Sequence, residues 1–313
     1  MKDMKEIQLR AYAKINLSLD VKGVREDGMH IVEMVMQQIL LCDDVSLKWE
    51  PSEEAEGLEI SLKTNRRYLP TDERNLAYKA ALMMNERYGP KKGRLNIYIR
   101  KRIPVAAGLA GGSSNGAAVL HGLNLLWGAG LDVAGLCRIG GEMGSDVPFC
   151  IMGQAAENSS LKEAFATDPL AAHCALATGT GTELKPLKGL CSHLVLSKPA
   201  VSVSTAKVYR GIDGVDIPER PDNRAMLAAL NTNDLTQIEK NMVNVLENYT
   251  LKEYSNIVYT KNKMRELCAP RAVLMSGSGP TIFGLVGSIG ESKRICEIMK
   301  KYNRESFWTR TTC

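Results

Sequence analysis

Apolar and polar positions alternate most strictly near the N-terminus, where Ile15, Leu17, Leu19 and Val21 are separated by Asn16, Ser18 and Asp20. This period-two spacing predicts a strand over 13–21 with one apolar and one polar face, so Lys14 and Asn16 project together away from the apolar side. Val32, Met34 and Met36 predict a second strand running on towards Ile39–Leu41, and 58–62 and 95–99 alternate again. Between those two, 75–84 carries a helical pattern stopped by Gly89-Pro90. Strands that come first, with helices after them, predict an α+β domain rather than a regular βαβ array.

Further on, Val119, Leu123 and Leu126 place an apolar face on a long helix, and a second helix is predicted near 131–143 despite Gly140-Gly141. It leads into Gly144-Ser-Asp-Val-Pro148 and the apolar run 149–152. After Met152 the character changes, and 154–177 is polar and Ala-rich with no chemistry to assign to it. Strands are predicted at 194–196 and 201–203. Leu235, Ile238, Met242 and Val245 predict one amphipathic helix, and Ile295, Ile298, Met299 and Tyr302 the last one. Between them, 273–283 reads as strand, glycine turn, strand. This half is a second α+β unit, giving expected domains 1–153 and 154–313, and a length of 313 residues suits two domains.

Composition narrows the class. With 44% hydrophobic and 24% charged residues the chain is an ordinary globular protein. Its net charge of +5 is spread out, with only short basic clusters and no aromatic interleaving, so nucleic acid is not indicated as a partner. No apolar leader and no run long enough for a membrane span is present, which makes the cytoplasm the expected location and a membrane partner unexpected. The eight cysteines show no C-x-x-C spacing and the four histidines are scattered, so reduced thiols and no zinc site are expected.

Candidate chemistry centres on Pro104-Val105-Ala106-Ala107-Gly108-Leu109-Ala110-Gly111-Gly112-Ser113-Ser114. Glycines admit close backbone approach, and Ser113 and Ser114 offer N-cap oxygens to the helix that follows. A glycine loop feeding a helix N-terminus suits phosphate, whereas the same residues also make a tight packed turn. Neither G-x-x-x-x-G-K-[ST] nor G-x-G-x-x-G is present, so the common nucleotide fingerprints do not apply. Asp146, between a small-residue turn and Pro148, reads by frequency as an Asx-turn or helix cap. Lys14 and Asn16 read either as a solvated face or as a cation and an amide aimed at a substrate.

Four segments decide between these readings: Ala13-Lys-Ile-Asn-Leu17, Gly28-Met-His30, Pro104 to Ser114, and Gly144-Ser-Asp-Val-Pro148, followed late by Gly277-Ser-Gly279. Together they resemble the GHMP small-molecule kinases. Asn75-Leu-x-Tyr-Lys-Ala80 and Asn244-Val-Leu-Glu247 extend the resemblance over nearly the whole chain. It implies a ribosomal protein S5 domain 2-like N-terminal domain and a ferredoxin-like C-terminal domain, with the active site between them. The implied reaction is transfer of the ATP γ-phosphoryl group, with Mg²⁺, to the 2-hydroxyl of a cytidine-diphosphate-linked methylerythritol in isoprenoid precursor synthesis. The residues 104–114 would hold ATP, and the catalytic pair falls on Lys14 and Asp146. Asn16 would hold the substrate, His30 would bond the cytosine, and Thr205 and Tyr209 would line the cytidine pocket. Met29 stands where the family usually has Tyr, and Ala107 and Ala110 where many relatives have Gly. Metal ligands are not assigned, and monomer and homodimer both stay open. Another GHMP kinase, or a silent nucleotide-binding member, are the alternative readings.

The residue types suit that chemistry. A carboxylate such as Asp146 can take the proton of an attacking hydroxyl, and a nearby lysine keeps it ionised and offsets charge on the oxygen. Phosphoryl transfer otherwise needs positioning and charge neutralisation, which backbone amides and cations supply.

Overall fold

The structure, a computed structural model, describes residues 5–90 and 92–313. It divides into two compact units that are each discontinuous in sequence: one holds residues up to Ala13, Leu41–Ile103 and Ala110–Ala172, the other Lys14–Leu40, Pro104–Leu109 and His173–Cys313. Two long strands, β1 (Glu6–Val24) and β2 (His30–Pro51), pair with each other and supply residues to both units. Alternation therefore continues beyond the stretches where it is obvious in the sequence.

In the first unit, β3 (Leu58–Thr64) is followed by helix α1 (Leu76–Arg87) and β4 (Gly93–Arg100). β4 lies parallel to β3 and antiparallel to the second half of β2, in register from Asp44↔Arg100 to Pro51↔Gly93. Asn75 caps α1, its Oδ1 accepting from Ala77 N–H at 3.0 Å. Helices α2 (Gly111–Leu126), α3 (Val133–Gly141), α4 (Val147–Glu157) and the single turn α5 (Lys162–Phe165) complete the unit. Pro148 sits in the first turn of α4, where its missing N–H costs nothing.

The central helix is α2, whose residues 114–124 are all buried. Gly122 makes that possible: a Cβ there would lie 2.2 Å from Leu47 Cδ1. His121 is carried inside on the same helix. Its Nε2–H donates to the Ile151 carbonyl at 2.9 Å and its Nδ1 has no partner among the described atoms. Burial pushes the imidazole down to about 4 from an ordinary 6.5. As pH falls from 6.5 towards 4, the unfolded chain binds a proton that the folded chain refuses, so stability falls with it. Urea unfolding at pH 7 and pH 5 is expected to show a loss of about 2 kcal/mol from this group. His121→Gln keeps an N–H for Ile151 but does not titrate, and should flatten the pH dependence by that amount.

The segment after Met152, to which the sequence assigns no role, ties this unit together. Asn158 uses its amide as a surrogate strand, donating to Arg10 O and accepting from Arg10 N–H, both at 2.9 Å. Asp168 accepts from Val133 N–H at 2.9 Å and so closes the first turn of α3.

In the second unit, the first part of β2 pairs antiparallel with β5 (Cys174–Thr178), which pairs with β6 (Glu183–Leu187). There follow β7 (His193–Lys198), α6 (Thr205–Ile212), α7 (Asn223–Thr232), α8 (Leu235–Lys240), α9 (Glu247–Glu253), α10 (Ser255–Cys268), β8 (Val273–Met275), β9 (Ile282–Val286), α11 (Ile289–Lys300) and β10 (Glu305–Arg310). Strands β10, β7, β9 and β8 form, in that order, an antiparallel sheet against which α10 and α11 pack. Taken as β7, α10, β8, β9, α11, β10, this is the ferredoxin-like arrangement, and the two-domain α+β expectation holds.

Four local expectations do not hold. Residues 201–203 form no strand, because Pro199 interrupts the chain before them and Ser204 already caps α6, accepting from Lys207 N–H. The helix expected to run to Val245 ends at Lys240, because Val243 O and Val245 N–H instead bond Leu19 of β1 at 2.9 and 3.0 Å. Ser113 and Ser114 are not caps: α2 begins at Gly111, with Ala110 in the cap position. Finally, the cysteines are not all thiols. Cys191 and Cys313 are joined, with Cα atoms 5.7 Å apart. The remaining six are outside that disulfide, and five of them are buried.

Candidate functional site

The polar row of β1 is the first surprise. Lys14, Asn16, Ser18 and Asp20 share a face, as period two requires, yet they are only 4%, 0%, 0% and 1% exposed. Each is matched by a polar partner within the second unit. Lys14 Nζ donates to Asn16 Oδ1 at 2.9 Å, and Asn16 Nδ2 contacts Met34 Sδ at 3.2 Å. Ser18 Oγ donates to Asn223 Oδ1 and accepts from Val35 N–H. Asp20 is paired with Arg220 Nη1 at 2.6 Å and with Lys22. The row is a buried polar seam, not a solvated face. Asn16 helps to hold the buried Lys14 head group in place.

The second element is a pair of glycine turns. Gly108 has φ of +72°, and a Cβ on it would lie 2.2 Å from Ser276 O. Conformation and close approach both demand glycine there. Ser276 Oγ donates back to Gly108 O at 2.9 Å, and Leu109 O accepts from Lys14 N–H at 3.2 Å. Asn244 Nδ2 donates to both Met275 O and Gly277 O at 2.8 Å, bracing the late Ser-Gly-Ser-Gly turn from β1's other neighbour. Asn244, which the resemblance singled out, holds this site together with Ser276 and Asn223, neither of which stands out by type. For the turn itself, the glycine spacing at 277 and 279 is the signal in the sequence.

In the first unit, α2 starts from Ala110 in the left-handed region (φ +57°, ψ 28°) with no side chain capping it. The N–H groups of its first turn thus have no intrahelical acceptors and lie at the positive end of the helix dipole. A Cβ on Gly112 would meet nothing closer than Leu76 Cδ1 at 4.0 Å, so that backbone is open to a ligand. Gly111 differs: a Cβ there would press on Ile103 Cγ2 at 2.9 Å and Lys101 Nζ at 3.1 Å. Ser114 Oγ donates to Tyr12 O at 2.7 Å and accepts from Gln154 Nε2 at 3.1 Å, anchoring the turn from below. An uncapped N-terminus with an open glycine fits a polyphosphate.

Beneath this turn lies an ion pair that the motif reading passes over. Lys101 Nζ is hydrogen-bonded to Asp43 Oδ2 and donates to Asn115 Oδ1 at 3.0 Å, with Asn115 Nδ2 donating to Asp43 at 2.8 Å. Asp43 Oδ1 also accepts from Arg102 N–H and Ile103 N–H. Burial pulls the Lys101 ammonium below its ordinary range, and Asp43 opposes that shift. Asp146 belongs to the same unit. It is half-buried and precedes α4, but its carboxylate makes no capping bond to that helix. The cap reading of Asp146 therefore fails.

The remaining candidates gather around α6 in the second unit. The rings of His30 and Tyr209 lie 5.1 Å apart at 52°, and His30 Nε2 is 2.8 Å from Asp213 Oδ1. Thr205 Oγ1 shares a hydrogen bond with Ser278 Oγ at 2.9 Å, which joins α6 to the glycine turn. Met29 is 47% exposed beside His30. Asp213 was not foreseen, since a lone Asp after a helix carries no pattern.

Residues 75–154 match the family model described as GHMP kinases N terminal domain, and 226–305 match GHMP kinases C terminal. A 4-diphosphocytidyl-2-C-methyl-D-erythritol kinase of Alkaliphilus metalliredigens (strain QYMF) is 45% identical over 94% of this chain and 92% of its own. The enzyme of that name from Bacillus subtilis (strain 168) is 43% identical over 91% and 90%. A crystal structure of a 4-(cytidine 5'-diphospho)-2C-methyl-D-erythritol kinase superposes with a TM-score of 0.76 at 30% identity, covering 98% of this chain and 100% of that one. A homoserine kinase from Cytophaga hutchinsonii superposes at 0.70 with 20% identity, covering 100% and 96%, and shares the fold. Both halves of the fold, the uncapped glycine-bearing helix and relatives matched nearly end to end agree on one assignment: this chain belongs to the GHMP kinases, ATP-dependent small-molecule kinases, and among them to the 4-diphosphocytidyl-2-C-methyl-D-erythritol kinases.

Proposed function

We propose that the chain transfers the γ-phosphoryl group of ATP to the 2-hydroxyl of 4-diphosphocytidyl-2-C-methyl-D-erythritol. The observation that carries this reading is a buried lysine held by Asn16 on β1, in a unit that also presents the His30–Tyr209 ring pair. Asp146 would take the hydroxyl proton and Lys14 would offset the charge that develops on the attacking oxygen. Residues 104–114 would hold ATP, with the first-turn amides of α2 on its phosphates. Mg²⁺, which favours hard oxygen donors, would arrive with the nucleotide and neutralise phosphate charge. We assign 1–153 and 154–313 as the GHMP N- and C-terminal halves of the sequence, with 154–172 packed into the first unit. No helix among the described residues is long and apolar enough to cross a membrane. A cytoplasmic enzyme of small molecules, independent of nucleic acid, fits this reading.

The test is an ADP-release assay across candidate alcohols. Turnover of the cytidylylated methylerythritol is expected, and preferred turnover of mevalonate or homoserine without it would overturn the proposal. Base recognition can be examined in the same assay. Tyr209 would stack on cytosine, and such stacking is worth roughly 1–3 kcal/mol, so Tyr209→Ala should raise the Michaelis constant about tenfold or more. Met29 would cover the other face through its thioether. Met29→Tyr should leave that constant unchanged or lower it.

A further inference from the structure

Asp213 has no place in the reaction as proposed, yet it touches the residue assigned to the base. It follows α6 directly, and Thr205, Tyr209 and Asp213 are spaced four apart, which sets them in a row along one side of the helix. The other side is fixed: a Cβ on Gly211 would lie 2.1 Å from Tyr249 of α9. A carboxylate at the C-terminal end of a helix opposes the helix dipole, so Asp213 does not stand there for the sake of α6. Its contact is His30, at 2.8 Å between Oδ1 and Nε2, with the imidazole side chain only 10% exposed.

We propose that Asp213 is a positioning residue for cytosine selection, acting through the tautomer of His30. This rests on the reading of His30 as the base contact. A carboxylate only accepts, so the proton between the two groups sits on Nε2. In the neutral ring Nδ1 is then a bare acceptor, and its direction is fixed by the bond on the opposite side. At the 4-position cytosine offers an amine N–H, whereas uracil offers a carbonyl oxygen. An oriented acceptor bonds the first and repels the second, so the carboxylate on α6 writes the choice of base into His30.

The experiment compares kcat/KM for matched cytidine- and uridine-diphosphate-linked methylerythritols in Asp213→Ala, Asp213→Asn and Asp213→Glu. The alanine variant is expected to lower the cytidine-to-uridine ratio about tenfold, mainly through KM for the cytidylylated substrate, with KM for ATP unchanged. Asp213→Asn, nearly isosteric, can present an N–H to Nε2 and reverse the tautomer, so it should lower the ratio as well. Asp213→Glu restores an acceptor and should recover most of it. Long-range ¹H–¹⁵N spectra should show His30 as the Nε2–H tautomer in the wild type and as a mixture in Asp213→Ala. An unchanged ratio and an unchanged tautomer in the alanine and asparagine variants would overturn the proposal. His30→Ala separates the two levels. If it leaves the cytidine preference intact, the reading of His30 as the base contact fails. If it abolishes the preference while Asp213→Ala does not, only the role of Asp213 fails.

Discussion

Asp146→Asn is expected to lower turnover by roughly 10²–10⁴-fold, the range typical of losing a general base, with little change in ATP affinity. The substitution keeps shape and should keep the fold. Asp146 makes no capping bond to α4, so the helix loses no hydrogen bond when the charge is removed, only the modest attraction of a carboxylate to its N-terminal dipole. A melting temperature close to wild type, with turnover collapsed, is the combined result to look for. Lys14→Ala should act on the same step, and the double variant should be far less than additive, since groups that work as a unit lose their effect together. Near-wild-type turnover in Asp146→Asn would remove this residue from the chemistry.

Lys101→Met is expected to destabilise the protein by about 3–5 kcal/mol, because it strands Asp43 as a buried carboxylate without its cation. The side chains of Lys101 and Asp43 are 5% and 0% exposed, so solvent cannot take over. Adding Asp43→Asn to Lys101→Met should restore part of the loss, since the stranded charge is then gone. Because Asn115 lies one turn into α2 and Lys101 lies under Gly111, the single variant should also raise the Michaelis constant for ATP. Urea unfolding and steady-state kinetics on the same preparations would check both. Unchanged stability in Lys101→Met would show that Arg102 N–H, Ile103 N–H and Asn115 suffice for Asp43.

Much of the frame is legible in the alternation itself. The strands at 13–21, 32–41, 58–62 and 95–99 and the helices near 75–84, 131–143 and 295–299 are all present, because each turns an apolar side to the core and the period records it. Where the structure departs, a long-range contact outweighs a local pattern. The helix read through Val245 yields to backbone bonds with Leu19, more than two hundred residues away. Ala110 takes a left-handed conformation that its type disfavours, so α2 starts before the serines that would have capped it.

The sequence by itself determined that Lys14, Asn16, Ser18 and Asp20 share a face, because side chains on a strand alternate whatever surrounds it. It also determined that glycines sit where backbones approach closely and that a helix follows them. Tertiary structure alone decided whether that polar face meets water or protein. Asn223, Arg220 and Met34 cover it, and nothing in a period-two pattern says what will be laid over either side. In the same way it decided that Lys101 would be buried with Asp43, and that Asp213 would meet His30 across 183 positions of chain. Hydrogen bonds and ion pairs act over a few ångströms, and only the folded chain brings such residues within reach.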